Sequence, residues 1–274
     1  MRVGYQGVNG AFSQMALRSY FKQECEEVGY SSFTDMFEDL QKGVLDYALF
    51  PVENTTTGII ARTYDLFQHY QVYAVGEIVI PIRQDLIALK GTKIEQITEV
   101  YSHPEAISQC EGLFRKYPQM NPVVYEDTAL SVKYVKECNE RHKAAIASHL
   151  AAKIYDMEIL IEGVNDNDAN MTRFLVTGNK EEYPEDADKI SIRMVLSHTP
   201  GALYHALGVF ASKNINVVKL ESRPIFGKLF EYCFYLDFSG NLNDPDVKEV
   251  LRRLEYDCHD LKVFGSYKAD SKTI

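Results

Sequence analysis

A chain of 274 residues and 31.2 kDa is long enough for about two globular cores. Its 46% hydrophobic and 25% charged residues exclude the disordered and fibrous classes. A net charge of -10 and a pI near 5.2 leave no electrostatic footprint for nucleic acid or an anionic membrane, and neither partner is expected.

The opening "MRVGYQG" enters a strand-like run without the basic, apolar and cleavage regions of a secretory leader, so a cytoplasmic location is expected. No apolar run approaches the ~18 residues of a spanning helix. From here short apolar runs alternate with amphipathic stretches: "RVGYQG" then 11–24, "YALFPV" then 58–69, "EVYSH" then 104–116, "AAIAS" then 149–156. Strands spaced by helices of this length predict an α/β domain with a mainly parallel sheet. In "TDMFEDLQKG" the pattern gives Thr34 or Asp35 as N-cap and Gly43 as the left-handed residue past the C-terminus.

The stretch "GNKEEYPEDADK", 178–189, has five acidic side chains and a proline in twelve residues and reads as a linker. Beyond it, "ISIRMVLSH" is a strand and "TPGALYHALGVFASKNI" a helix with Thr199 as N-cap and Pro200 at its first position. Two strands, "VVKLESRPI" and "LFEYCFYLDF", the helix "DPDVKEVLRRLEYD" and the strand "LKVFGSY" complete β-α-β-β-α-β, the ferredoxin-like order.

The residues that could carry chemistry sit at strand ends. "GYQGVNGAFS" lacks both the dinucleotide fingerprint and a phosphate-loop Lys-Ser/Thr, but it feeds a helix start near Ala11, Phe12 and Ser13, where backbone N–H groups favour an anion. "FPVENTTTGII" carries Glu53 and Asn54 from a strand into three threonines, which either line a ligand site or cap the next helix. "YSHPEAISQC" places Ser102 at a strand end and Gln109 about two turns into a helix. No G-x-S-x-G elbow accompanies Ser102 and His103, which argues against a hydrolase triad. "NMTRFLV" joins Asn170, Thr172 and Arg173 to an apolar run. The five cysteines are scattered without a C-x-x-C pair, so reduced thiols are expected rather than zinc or redox chemistry.

Taken together, "GYQGVNGAFS", "PVENTTTG", "SHPEAISQC", "DTALS" and "NMTRF" resemble the prephenate dehydratase family, and "GALYHAL" with "ESRP" resembles its regulatory ACT domain. The resemblance covers essentially the whole chain. It implies a catalytic domain over 1–179 with a two-lobed fold like a type II periplasmic binding protein, the second lobe at roughly 82–162. An acidic linker at 180–189 and an ACT domain at 190–274 would follow. The implied activity is conversion of prephenate to phenylpyruvate, CO2 and water without a cofactor or metal, inhibited by L-phenylalanine, in a cytoplasmic homodimer or homotetramer.

The resemblance places Thr172 at the leaving hydroxyl and Asn54, Ser102 and Gln109 among the active-site positions. It offers Arg173 as a bidentate partner of a substrate carboxylate or a structural ion pair, and Glu53 as a proton source if burial raises its pKa or as a tie for loop N–H groups. Ala11, Phe12, Ser13, Thr55 and Phe174 would complete the substrate pocket. Gly201, Ala202 and Leu203 with Glu221, Ser222, Arg223 and Pro224 would hold phenylalanine. Thr55, Glu105 and the "VN" before Ala11 depart from the usual family residues. Two alternatives stay open: arogenate dehydratase, and a non-catalytic amino-acid-sensing binding protein.

Overall fold

A computed structural model describes residues 1–273. The chain divides into two compact units, one of Met1–Met36, Glu53–Gly58 and Val79–Arg173, the other of Phe37–Val52, Ile59–Ile78 and the chain from Phe174 onward. Three strands, Tyr47–Asn54, Tyr73–Pro81 and Met171–Gly178, pass from one unit into the other.

In the first unit the strands Arg2–Gln6 and Glu26–Tyr30 pair in parallel, joined by the helix Phe12–Tyr20. A five-stranded sheet runs in the order Glu158–Ile161, Asp85–Ala88, Lys143–Ala147, Glu99–Ser102, Asn121–Val124. The last three pair in parallel, as expected, but Asp85–Ala88 is antiparallel to both its neighbours. Alternation along these strands sends successive side chains to opposite faces. Leu86, Ala88, Val100 and Ile146 build one core with Ala106 and Leu113; Ile87, Tyr101, Ala145 and Ala147 build the other with Val132, Val135 and Ala151.

The helix expected over 104–116 is two short ones, Pro104–Ser108 and Glu111–Lys116. At the break the Gln109 carbonyl accepts from the Asp166 N–H at 2.8 Å, and the Asp166 carboxylate accepts from Gly112 N–H at 2.8 Å. A partner from a distant loop thus takes the carbonyl that a continuous helix would use, while Gln109 N–H keeps its helical bond to the Glu105 carbonyl at 3.1 Å.

The second unit carries the order Val217–Pro224, Tyr232–Ser239, Lys189–Leu196, Cys258–Tyr267, Tyr73–Pro81, Met171–Gly178, Tyr47–Asn54. The β-α-β-β-α-β order is as expected. Helices Ala202–Ser212 and Pro245–Asp257 bury Ala206, Phe210, Val250 and Leu254 against Ile190, Ile192, Leu236 and Phe238. On the other face Tyr235 and Phe264 meet Tyr64 and Phe67 of the helix Ala61–Phe67. Buried Lys189 reaches Glu77 at 2.6 Å. The acidic stretch is packed here too: Ala187 is buried, and Asn241 donates 2.8 Å bonds to the carbonyls of Glu185 and Ala187.

Two helix starts differ from expectation. The helix Phe33–Gln41 begins in the first unit, and Ser32 Oγ, not Thr34 or Asp35, accepts the early N–H, from Asp35 at 3.3 Å; Gly43 is left-handed as expected, with φ 74°. The helix expected from Thr199 and Pro200 begins at Ala202 after Gly201, whose φ of 83° only glycine adopts freely. Thr199 and Pro200 lie in the preceding turn, closed by Ala202 N–H on the Thr199 carbonyl at 3.2 Å.

Candidate active site

Three segments far apart in sequence meet in the first unit. Asn54 ends a strand at the tip of "PVEN" and is 8% exposed. Its Oδ1 accepts from the N–H groups of Thr56 and Thr57 at 2.9 and 3.0 Å. Because that oxygen is taken by backbone donors, the amide nitrogen must face the other way. It donates to Thr172 Oγ1 at 2.9 Å, to Asn170 Oδ1 at 2.7 Å and to the Met171 carbonyl at 3.0 Å. Asn170 in turn donates from Nδ2 to Gln109 Oε1 at 2.9 Å.

The direction of these bonds has a chemical result. Thr172 receives an N–H on its oxygen, so its own proton remains available to an incoming acceptor, and no described residue takes it. Gln109 receives on Oε1 and keeps its Nε2 donors. Sequence reading gave Asn54, Thr172 and Gln109 places in the site but assigned no role to Asn170, which joins Asn54 to Gln109. The signal was present: an amide two residues before the Thr172 hydroxyl at the start of a strand.

Thr55 holds the same crossing through backbone. Its N–H donates to Met171 O at 2.9 Å, its hydroxyl donates to Ala169 O at 3.0 Å, and that hydroxyl accepts from Met171 N–H at 2.9 Å. Arg173, 7% exposed, pairs with Glu53 at 3.3 Å. The Glu53 side chain is 43% exposed, so the burial on which a proton-donor role would rest is absent. Ser102 is fully buried and donates to the Ile146 carbonyl at 2.7 Å, tying two strands together. Phe174 lies in the second unit, buried in its core.

Ala11 is the N-cap of the helix Phe12–Tyr20, with φ −64° and ψ 152°. The turn before it is braced by Gln14, which accepts Gly10 N–H at 2.7 Å and donates to Glu27 at 2.6 Å. Glu27 is held by Arg18 at 2.7 and 2.8 Å, and this hydrogen-bonded guanidinium keeps its carboxyl below the usual carboxylate range. The turn needs Gly10 (φ 95°), because a Cβ there would meet Ala151 at 2.7 Å. Ser148 closes the other side, donating to Gly10 O at 2.6 Å. A rigid turn therefore presents the N–H groups of Phe12 and Ser13 at the positive end of a helix.

The cysteines are free, and burial pushes the Cys110 thiol up to about 12. Among the described residues no group of His, Cys, Asp and Glu could hold a metal ion, and no helix is long and apolar enough to cross a membrane.

The second unit divides the expected effector residues between two faces of its sheet. Ala202 and Leu203 line a cavity of about 580 Å³ with Leu196, His198, Tyr232 and Phe234. In the strand Val217–Pro224, Ser222 stands opposite Phe234, whereas Glu221 stands opposite Tyr235, on the face covered by Ala61–Phe67. Arg223, on that same face, forms a bidentate pair with Asp65 at 2.8 and 2.9 Å. Period-two alternation thus splits Glu221 and Arg223 from Ser222 and Pro224, and one chain does not bring all seven residues to one cavity.

The sequence profile described as prephenate dehydratase matches residues 3–182. The chain belongs to the prephenate dehydratase family. An ACT domain profile matches residues 190–256. The chain is 37% identical over 287 residues to arogenate dehydratase 2 of Petunia hybrida, covering 99% of this chain and 72% of that one. It is 34% identical over 268 residues to the bifunctional chorismate mutase/prephenate dehydratase of Stutzerimonas stutzeri, covering 97% and 73%. The crystal structure of prephenate dehydratase from Arthrobacter aurescens in complex with L-Phe superimposes with a TM-score of 0.92 at 27% identity, covering 100% of this chain and 91% of that one.

Proposed function

We propose that the protein is a prephenate dehydratase that forms phenylpyruvate for phenylalanine synthesis and is inhibited by L-phenylalanine. The observation that carries this reading is the Thr172 hydroxyl, which Asn54 holds by its oxygen at 2.9 Å so that its proton is directed to an incoming group.

The reaction breaks the bond from the ring to its carboxylate. The released electron pair becomes a ring double bond, the carbon–oxygen bond of the ring hydroxyl breaks, and one proton converts the departing hydroxide to water. Aromaticity drives the change and hydroxide departure obstructs it. A fixed donor at the developing oxyanion is worth about 100- to 1,000-fold in rate. Thr172 supplies that donor as a hydrogen bond; a threonine hydroxyl is too weak an acid to be the final proton source. Gln109 Nε2 and the N–H groups of Phe12 and Ser13 are neutral donors suited to the two substrate carboxylates. Arg173 adds positive charge nearby, partly balanced by Glu53.

The catalytic domain is taken as 1–179, the acidic stretch as 180–189 and the ACT domain as 190–274. The relative in complex with L-Phe supports phenylalanine as the effector, and the ACT domain is taken as the part that binds it. A homodimer or homotetramer would complete the effector site: the strand Val217–Pro224 is a sheet edge with Val218 and Leu220 about 40% exposed, and such an edge invites a second copy. A cytoplasmic location suits five free thiols.

A second reading, turnover of arogenate, is favoured by the 37% identity to the petunia enzyme. Incubating the purified protein with prephenate and with arogenate, while following phenylpyruvate and phenylalanine, separates the two. Formation of neither product overturns both.

A further inference from the structure

Asn170 is 2% exposed and has no charge, yet its side chain hydrogen-bonds both Asn54 and Gln109. Its backbone is fixed too, since the Asn170 carbonyl accepts Ile82 N–H at 2.8 Å. Each amide in the series can in principle be turned over, exchanging donor for acceptor. The series is nevertheless directed from one end. Backbone N–H groups of Thr56 and Thr57 occupy Asn54 Oδ1; Asn54 Nδ2 therefore faces Asn170 Oδ1; Asn170 Nδ2 therefore faces Gln109 Oε1. Gln109 is left with both Nε2 hydrogens for a ligand. Were the last amide reversed, a carbonyl oxygen would meet a dianionic substrate, and the repulsion would replace an attraction.

We propose that Asn170 is a positioning residue for the dehydratase reaction: it transmits the orientation set at the Thr56–Thr57 backbone to Gln109, so that Gln109 presents N–H donors to a substrate carboxylate. The proposal rests on the dehydratase reading and deepens it. Asn170 does not touch the substrate; it acts by fixing which end of the Gln109 amide does.

The test uses the full chain and variants that preserve shape while reversing hydrogen-bond polarity. In Asn170→Asp the carboxylate still accepts from Asn54 but cannot donate to Gln109, which turns over. Turnover of prephenate at pH 8 should fall about 10- to 100-fold in kcat/KM, the scale of one lost donor. Lowering the pH to 5.5 should restore most of that loss, because the protonated carboxyl donates to Gln109 again. At a position only 2% exposed, burial disfavours the charged form and raises this titration. Gln109→Glu should behave alike: its ionised form offers only acceptors to the substrate, and its protonated form regains a donor. It also stands in if Asn170→Asp proves unfolded by thermal denaturation. Rates are corrected at each pH for uncatalysed breakdown of prephenate.

A pH-independent loss in the folded Asn170→Asp variant, equal to that of Asn170→Ala, would overturn the proposal in favour of a packing role. Parent-like activity at pH 8 in Asn170→Asp, or in Gln109→Glu, would overturn it as well. A parent enzyme that turns over neither prephenate nor arogenate would instead remove the dehydratase reading, and the proposal with it.

Discussion

The Asn54 amide nitrogen and the Thr172 hydroxyl oxygen lie 2.9 Å apart although 118 residues separate them in the chain. The bond runs from amide to hydroxyl, and this direction leaves the threonine proton for an incoming acceptor, which under the proposed function is the leaving hydroxyl.

Removing the hydroxyl should therefore cost rate more than binding. Thr172→Ala is expected to lower kcat by about 100-fold or more with KM changed little, and Thr172→Ser to stay within about tenfold of the parent. Asn54→Asp should be nearly as damaging with Thr172 intact, because a carboxylate accepts the threonine proton and turns it inward. Steady-state kinetics on the three variants decide this. Equal losses in the Ala and Ser variants, both folded, would assign the effect to packing.

The brace behind the Phe12 helix should respond to acid. The Glu27 pKa is depressed by its hydrogen bonds to Arg18, ahead of the opposing effect of burial. A depressed carboxyl contributes stability above its unfolded-state pKa and loses it as pH falls through the folded value. Glu27→Gln should thus be less stable than the parent at pH 7, by up to about 1 kcal/mol since both partners are partly exposed. The gap should close below about pH 4, the range of the unfolded carboxylate. Urea denaturation of both proteins between pH 3 and 7 measures it; a gap independent of pH would refute the ionic origin.

The Lys189–Glu77 pair predicts a large stability effect in the second unit. Both side chains are nearly inaccessible, at 4% and 0%, and Glu77 Oε1 also accepts from Asp270 N–H at 3.0 Å. Lys189→Met leaves a buried carboxylate without its cation and should cost about 3 to 5 kcal/mol. Adding Glu77→Gln to that variant should recover part of the loss. Chemical denaturation tests the pair; additive losses would show that the two groups act independently.

Regulation should depend on Asp65. Arg223 of "ESRP" grips this residue, and the helix Ala61–Phe67 that bears it follows directly from the loop holding Asn54. Asp65→Asn removes the charge and one arm of the fork. Phenylalanine should still bind by calorimetry, while its inhibition weakens several-fold within the ~1 to 3 kcal/mol usual for coupled sites. Turnover without effector should stay near the parent value. An unchanged inhibition curve would exclude this helix as the route.

The order of elements was legible because apolar period and run length report local facts: which face of a segment must be buried and how long it is. The β-α-β-β-α-β order, the left-handed Gly43 and the polar strand start at Thr172 all follow from such signals. Motif resemblance added Asn54 and Gln109.

What the sequence could not decide was which polar group meets which. Thr199 and Pro200 carry good cap chemistry, but a turn closed at Gly201 takes them outside the helix. Ser102 sits at a strand end, as an active-site residue would, yet its hydroxyl goes to Ile146, a partner supplied by a neighbouring strand 44 residues on. Glu221 and Arg223 belong to the effector motif in sequence, and strand alternation sends them to the face of Ala61–Phe67. The break at Gln109 exists because Asp166 arrives from a distant loop, and Asn170 gains its place only where the end of the strand Tyr47–Asn54 and the end of the helix Pro104–Ser108 come within reach of it. Hydrogen bonds are short-ranged and directional, whereas the sequence separations they close here are 61 and 116 residues. Local pattern names the candidates; only the register of the folded strands sets donor against acceptor.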